Sequence, residues 1–172
     1  MRNIAIGILM IILLSILLEP MRELVNLMRE QIAVGTALSN AARIAKDGGL
    51  EYESQRKLDA KINEERFAKY FARAFSDAMD LTWTNKADNN PRYLKFKSND
   101  GRYNDFTVEL EFEEKTDYEN YDSPHLVKTI VDMKAETEYK FKTKYLKLAE
   151  DAGEDVATKL TSERTLILTI KN

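Results

Sequence analysis

The chain has no cysteine and a single histidine, His125. Without cysteine there is no disulfide, no thiolate metal site and no cysteine nucleophile. A His-based zinc site or a His-relayed triad would need partners that the chain lacks, so His125, following Pro124, reads as incidental. There are only six glycines and three prolines. None of the glycines belongs to a Walker loop or a dinucleotide fingerprint, and Gly48-Gly49, Gly101 and Gly153 read as turn positions. An excess of positive charge is missing too. Residues 1–50 carry five Lys/Arg and four Asp/Glu, whereas the other 122 carry 21 and 25, a net charge of −4. Such a domain has no global pull toward nucleic acid. These absences point away from an enzyme, a cofactor and a nucleic-acid partner.

What is present is a strong division along the chain. Hydrophobic residues make up 44% and charged residues 32%, so the bulk is neither disordered nor wholly embedded in lipid. The oily part is concentrated at Ile4 to Leu18, fifteen residues without a charge. A full membrane span takes about 20 residues and a signal-peptide core about 7–15, so length alone fits either. No A-x-A-like cleavage site follows: the exit reads Leu17-Leu18-Glu19-Pro20-Met21, and the run feeds at once into another helical pattern. Arg2 precedes the run, and Glu19, Arg22 and Glu23 follow it. The positive-inside bias therefore places the N-terminus in the cytoplasm and the bulk of the chain outside a cell membrane. Residues 1–20 are expected to form a single-pass anchor built on Ile4, Ile8, Ile11, Ile12, Leu14 and Leu18, with a cleaved signal or a buried helix of a soluble domain as the alternatives.

Glu19 and Pro20 mark a helix joint. Inside a helix, proline removes a backbone donor and clashes with the carbonyl four residues back, here Ile16. At a helix start it costs little, and a glutamate there favours the positive dipole end. The pair either begins a second helix or kinks one long helix at the water interface. From 21 to 49 apolar residues recur at helical spacing: Leu24, Leu27, Val34, Leu38, Ala41 and Ala45 form one stripe, widened by Met21, Val25, Met28 and Ile32. Arg22, Asn26, Arg29, Glu30, Asn40 and Arg43 supply polar positions, and Gly48-Gly49 is expected to end this amphipathic stalk. Its later half is rich in small residues, which allow close helix approach. Leu24, Leu27, Val34, Gly35, Leu38, Ala41 and Ala42 are thus a candidate assembly face, unless that face packs on the protein's own sheet.

Residues 50–172 read as an α+β domain outside the membrane, packing on the stalk. Glu51 to Ile62 is polar, a linker or loose helix. Asn63 to Asp80 is helical, with Phe67, Phe71, Ala74 and Ala78 along one face and Tyr70, Phe75 and Met79 beside it. Thr84 to Pro91 is a loop. Leu94 and Phe96, then Phe106, Val108, Leu110 and Phe112, alternate with polar residues as a hairpin does, with Lys95 and Lys97 placed to face the glutamates of the second strand. A longer alternating run extends from Val131 to Tyr145, Glu150 to Lys159 reads as an acidic loop or short helix, and Thr165 to Ile170 is a final strand. The expected sheet is antiparallel with three to four strands. Two acidic loops, Asp117, Glu119 and Asp122, and Asp151, Glu154 and Asp155, offer hard oxygen ligands of the kind calcium takes, though neither is an EF-hand. Lys134, Lys140, Lys142 and Lys144 lie on one strand face that could meet an anionic surface, with Glu136 and Glu138 interleaved.

An oily N-terminal helix running into an amphipathic stalk and then an α+β domain resembles pilins and pseudopilins. The stretch "ALSNAARIAKDGG", residues 37 to 49, is similar to the alanine- and arginine-containing segment after the membrane helix of TadE/TadF-like proteins of tight-adherence pilus and secretion systems. The chain departs from type IV prepilins in that Gly7 is followed by Ile8 rather than phenylalanine, and Ile12 stands where those have a glutamate. It also lacks the Glu-Phe pair common in TadE-like proteins. The resemblance implies a structural subunit of a surface filament or secretion apparatus, a homo- or hetero-oligomer with pilin-like subunits. The rival expectations are a single-pass accessory or sensor domain that binds a partner without polymerising, and a secreted enzyme with a cleaved signal.

Overall fold

The structure, a computed structural model, describes residues 2–50, 60–86, 90–117, 126–140, 152–153 and 158–169. Among the described residues, two helices and five strands follow in the order α1 (Arg2–Gly49), α2 (Glu64–Met79), β1 (Leu81–Trp83), β2 (Tyr93–Ser98), β3 (Phe106–Asp117), β4 (Leu126–Tyr139) and β5 (Thr158–Leu168). The class is α+β, with a candidate membrane helix at the N-terminal end.

α1 is a single helix of 48 residues with Pro20 inside it, about 72 Å long at 1.5 Å per residue. The Glu19-Pro20 joint therefore lies within one continuous helix. The helix runs to Gly49, but neither Gly48 nor Gly49 adopts a left-handed conformation. They are needed for room instead. A Cβ on Gly49 would stand 3.1 Å from the Cα of Phe67, and one on Gly48 would strike the ring of Tyr70. Beyond the helix, the amide of Asn63 donates to the carbonyl of Gly49 at 2.9 Å, and Leu50 pairs with Ile62.

α2 starts at Asn63, whose side chain accepts from the amide of Arg66 at 3.0 Å. This satisfies one of the orphan donors at the helix start. It ends at Asp80, in the left-handed region with φ 52°. Its buried face is Phe67, Ala68, Phe71, Ala72 and Phe75, a ladder at i, i+4 and i+8 with stacked rings 6.2 and 5.8 Å apart. Ala78, placed on that face by its spacing, is exposed, and Tyr70, placed beside it, is 43% exposed.

The sheet has five strands, not three to four, in the simple order β1-β2-β3-β4-β5, every pair antiparallel. β1 escapes a reading by periodicity because three residues carry no period. β5 begins at Thr158 rather than Thr165, since Leu160 is the one apolar residue among its first five, too few to show alternation. The β2–β3 register sets Lys95 against Thr107 and Tyr93 against Glu109, and Lys97 against Thr82 of β1, so neither lysine sits directly opposite a glutamate. Inward-facing Leu94, Phe96, Phe106, Val108, Leu110, Val131, Met133 and Ala135 are buried. The two helices lie side by side over that face. Phe67 meets Phe112, and Phe75 meets Phe96 and Phe106, edge to face. Val34, Leu38, Ala41, Ala42 and Ala45 of α1 belong to the same core.

Candidate functional site

The surface of α1 changes character along its length. Ile4, Ile8, Ile11, Ile12, Leu14 and Leu18 are each at least 51% exposed, and none of the most apolar window is covered by the protein. By length and composition this segment can cross a membrane. Its one hydroxyl, Ser15, donates to the carbonyl of Ile11 at 2.9 Å, which pairs the segment's single side-chain hydroxyl within the helix. The fifteen residues from Ile4 to Leu18 reach only about 22 Å, against a hydrocarbon core of about 30 Å. One face continues the apolar surface beyond Pro20: Met21, Leu24, Val25, Met28 and Ile32 are all exposed. The broad stripe read from the sequence is thus two faces, this outward one and an inward one.

The inward face takes most of the candidate assembly residues. Val34 and Leu38 are fully buried, Ala41 and Ala42 are 1% exposed, and Gly35 is buried. They pack within the chain, against α2 and the sheet. Leu27 is partly buried at the edge of the core, and Leu24 alone of the seven is exposed. Gly35 lies beneath β5, where a Cβ would stand 3.2 Å from the hydroxyl of Ser162 and would strike the guanidinium of Arg164. The small residues bring helix and strand backbones together within the chain.

A polar cluster that the sequence reading missed sits where these faces part. Glu23 is only 3% exposed. Seven residues on, and so on the same side of the helix, Glu30 accepts a hydrogen bond from the hydroxyl of Tyr103. Tyr103 and Tyr139 are buried with ring centroids 6.4 Å apart. Burial first, and then the negative charges of Glu23 and Glu30, push the Tyr139 phenol up to about 12. Burial and the Glu30 hydrogen bond raise Tyr103 further. The clue in the sequence was the seven-residue spacing of two glutamates in line with Leu27 and Val34.

His125, Glu119, Asp122, Asp151, Glu154, Asp155, Lys142 and Lys144 lie outside the described residues, so neither acidic loop is defined. Among the described residues no group of three or more His, Asp or Glu could hold a metal ion. Lys134 pairs with Glu136 at 3.0 Å and approaches Glu163 at 3.9 Å, and Lys159 reaches Glu136 at 2.8 Å. Around Lys134 that strand face is a mixed-charge lattice. No protein-family model, curated protein or solved structure matches the chain.

Proposed function

We propose that the chain is a membrane-anchored, pilin-like structural component of a surface filament or secretion apparatus, working through helix–helix assembly. The N-terminus is then cytoplasmic and the α+β domain stands outside a cell membrane. The observation that carries this reading is the outward stripe of α1. From Ile4 to Ile32 it runs about 42 Å, whereas lipid can cover about 30 Å. Beyond that reach stand Val25, Met28 and Ile32, spaced by three and four residues, the spacing that seats one helix against another. A helix of a neighbouring subunit would cover what lipid leaves bare.

One observation favours the second reading, an accessory or sensor domain that does not polymerise. The small-residue face around Gly35 and Ala42 is used up inside the fold and has no surface left to offer. The absence of native cysteine allows a direct test. Single cysteines at 21, 25, 28 and 32, and at the flanking 22, 26 and 29, are oxidised in native membranes. Disulfide dimers at the first set and not the second are the expected result. Monomers at all seven positions, with a monomeric mass after mild extraction, would favour the accessory reading.

A further inference from the structure

The outer side of α2 and the short strand β1 border a cleft of about 890 Å³. Arg66, Lys69, Arg73 and Lys86 line it, and among the described residues Asp77 is its one acidic side chain. Residues 51–172 carry a net charge of −4, so four cations to one acid is a local reversal of sign. Among the described residues, none of these four cations is in an ion pair, although Lys61, Arg92, Arg102, Lys115, Lys134 and Lys159 all are. Arg66, Lys69 and Arg73 are spaced by three and four residues on one helix, so they form a row about 10 Å long. Two aromatic rings stand in the same cleft. Tyr70 is exposed, and Trp83 carries the Lys86 ammonium 5.8 Å from its ring centroid. The indole is held in place: its N–H donates to Asn85 at 2.9 Å, and Asn85 is itself bonded to the backbone of Tyr93 and Lys95 at 2.7 and 2.8 Å.

We propose that this cleft binds an acidic oligosaccharide, a chain of a few sugars bearing carboxylates. A row of guanidinium and ammonium groups suits a row of carboxylates, arginine by paired N–H donors. The held indole and the exposed Tyr70 ring offer flat apolar area to the C–H faces of pyranose rings, while the cations take the charged substituents. An acidic peptide is less suited, because β1, at three residues, is too short a strand edge to template one. Headgroups of a bilayer spanned by the N-terminal segment are out of reach. Gly48, at the cleft margin, is 28 residues beyond Pro20, about 42 Å along the helix axis, against a Debye length of about 8–10 Å. The site stands whether or not the chain assembles.

Trp83 is the chain's single tryptophan and reports on the cleft directly. The full-length protein in mild detergent is titrated at low salt with hexagalacturonate, with maltohexaose and with hexaglutamate. Tryptophan emission is followed, and calorimetry in parallel detects binding that leaves the ring silent. The expected result is saturable binding of hexagalacturonate, at least tenfold weaker binding of the other two, and a strong salt dependence. The Arg66→Glu/Arg73→Glu double variant, at exposed positions, should lose at least tenfold, and Arg66→Lys/Arg73→Lys should stay within about threefold. Absence of hexagalacturonate binding, equal binding of hexaglutamate, or a charge-reversal variant that binds like wild type would each overturn the proposal.

Discussion

Residues 4–18 and 34–45 belong to one helix, yet the large aliphatic chains of the first are exposed and the small side chains of the second are buried. Burial follows from what lies alongside, not from how apolar a residue is. In the first half nothing else in the described chain is close, so bulk is cheap and would present the most area to a bilayer. In the second half β5 and α2 press against the helix, and only alanine, glycine and serine leave room beside the anchoring Val34 and Leu38. Gly7 and Gly49 show the same contrast: a Cβ at Gly7 would meet nothing within 4 Å, whereas one at Gly49 would meet the backbone of Phe67.

The sharpest way to test this contrast is a matched pair of truncations. Leu38→Ala removes a fully buried side chain and should cost about 2–5 kcal/mol of domain stability. Leu14→Ala, at an exposed position, should leave the denaturation midpoint of the detergent-solubilised protein unchanged. Equal effects would show that the two halves are not distinct. A smaller effect is expected at the glycines. Gly49→Ala should destabilise by about 1–3 kcal/mol, because backbone cannot move aside as a side-chain tip can, while Gly7→Ala should be neutral to slightly stabilising. Thermal melts of both variants decide this, and a neutral Gly49→Ala would mean that α2 can slide away from α1 freely.

The smallest effect belongs to the boundary between the halves. Tyr103→Phe removes the hydroxyl that donates to Glu30 and should cost about 1 kcal/mol near neutral pH. The folded state raises the phenols of Tyr103 and Tyr139 above the ordinary value near 10, the latter to about 12. Stability from keeping them protonated is therefore complete below pH 10 and lost as pH climbs from 10 toward 12. Unfolding midpoints and phenolate absorbance across that range should show the loss, and it should be shallower in Tyr103→Phe. An unchanged alkaline slope would place these tyrosines in contact with water.

Much of the fold was legible because its signals were periodic. The aromatic residues of α2, the β2–β3 alternation and the oily run each declare themselves over many residues. The missed stretches were those without a clear period: β1 for its brevity, the start of β5 for its polarity, and Leu126 to Ile130 at the start of β4, where apolar residues fall on both faces. The inward turn of Glu23 and the two-faced nature of α1 were not legible for another reason. A helical stripe tells which residues share a side, but not which of two wide apolar sides meets the sheet. The cleft beside Trp83 was hidden similarly, since Arg66, Lys69 and Arg73 join Lys86 only through the packing of α2 beside β1.

Every strand of the sheet pairs with its neighbour in sequence, yet Gly35 of α1 lies against Ser162 and Arg164 of β5. During synthesis, the hairpins can zip up one after another as they emerge, since such local pairing is kinetically easy. The helix that must cap them is made first and β5, its nearest strand, is made last of the described elements. Until then α1 has only part of its bed, and β4, fourteen residues long, waits with an open edge that invites pairing with other chains. Final closure thus depends on the arrival of β5, and a chain truncated before Thr158 would carry its longest strand edge unprotected.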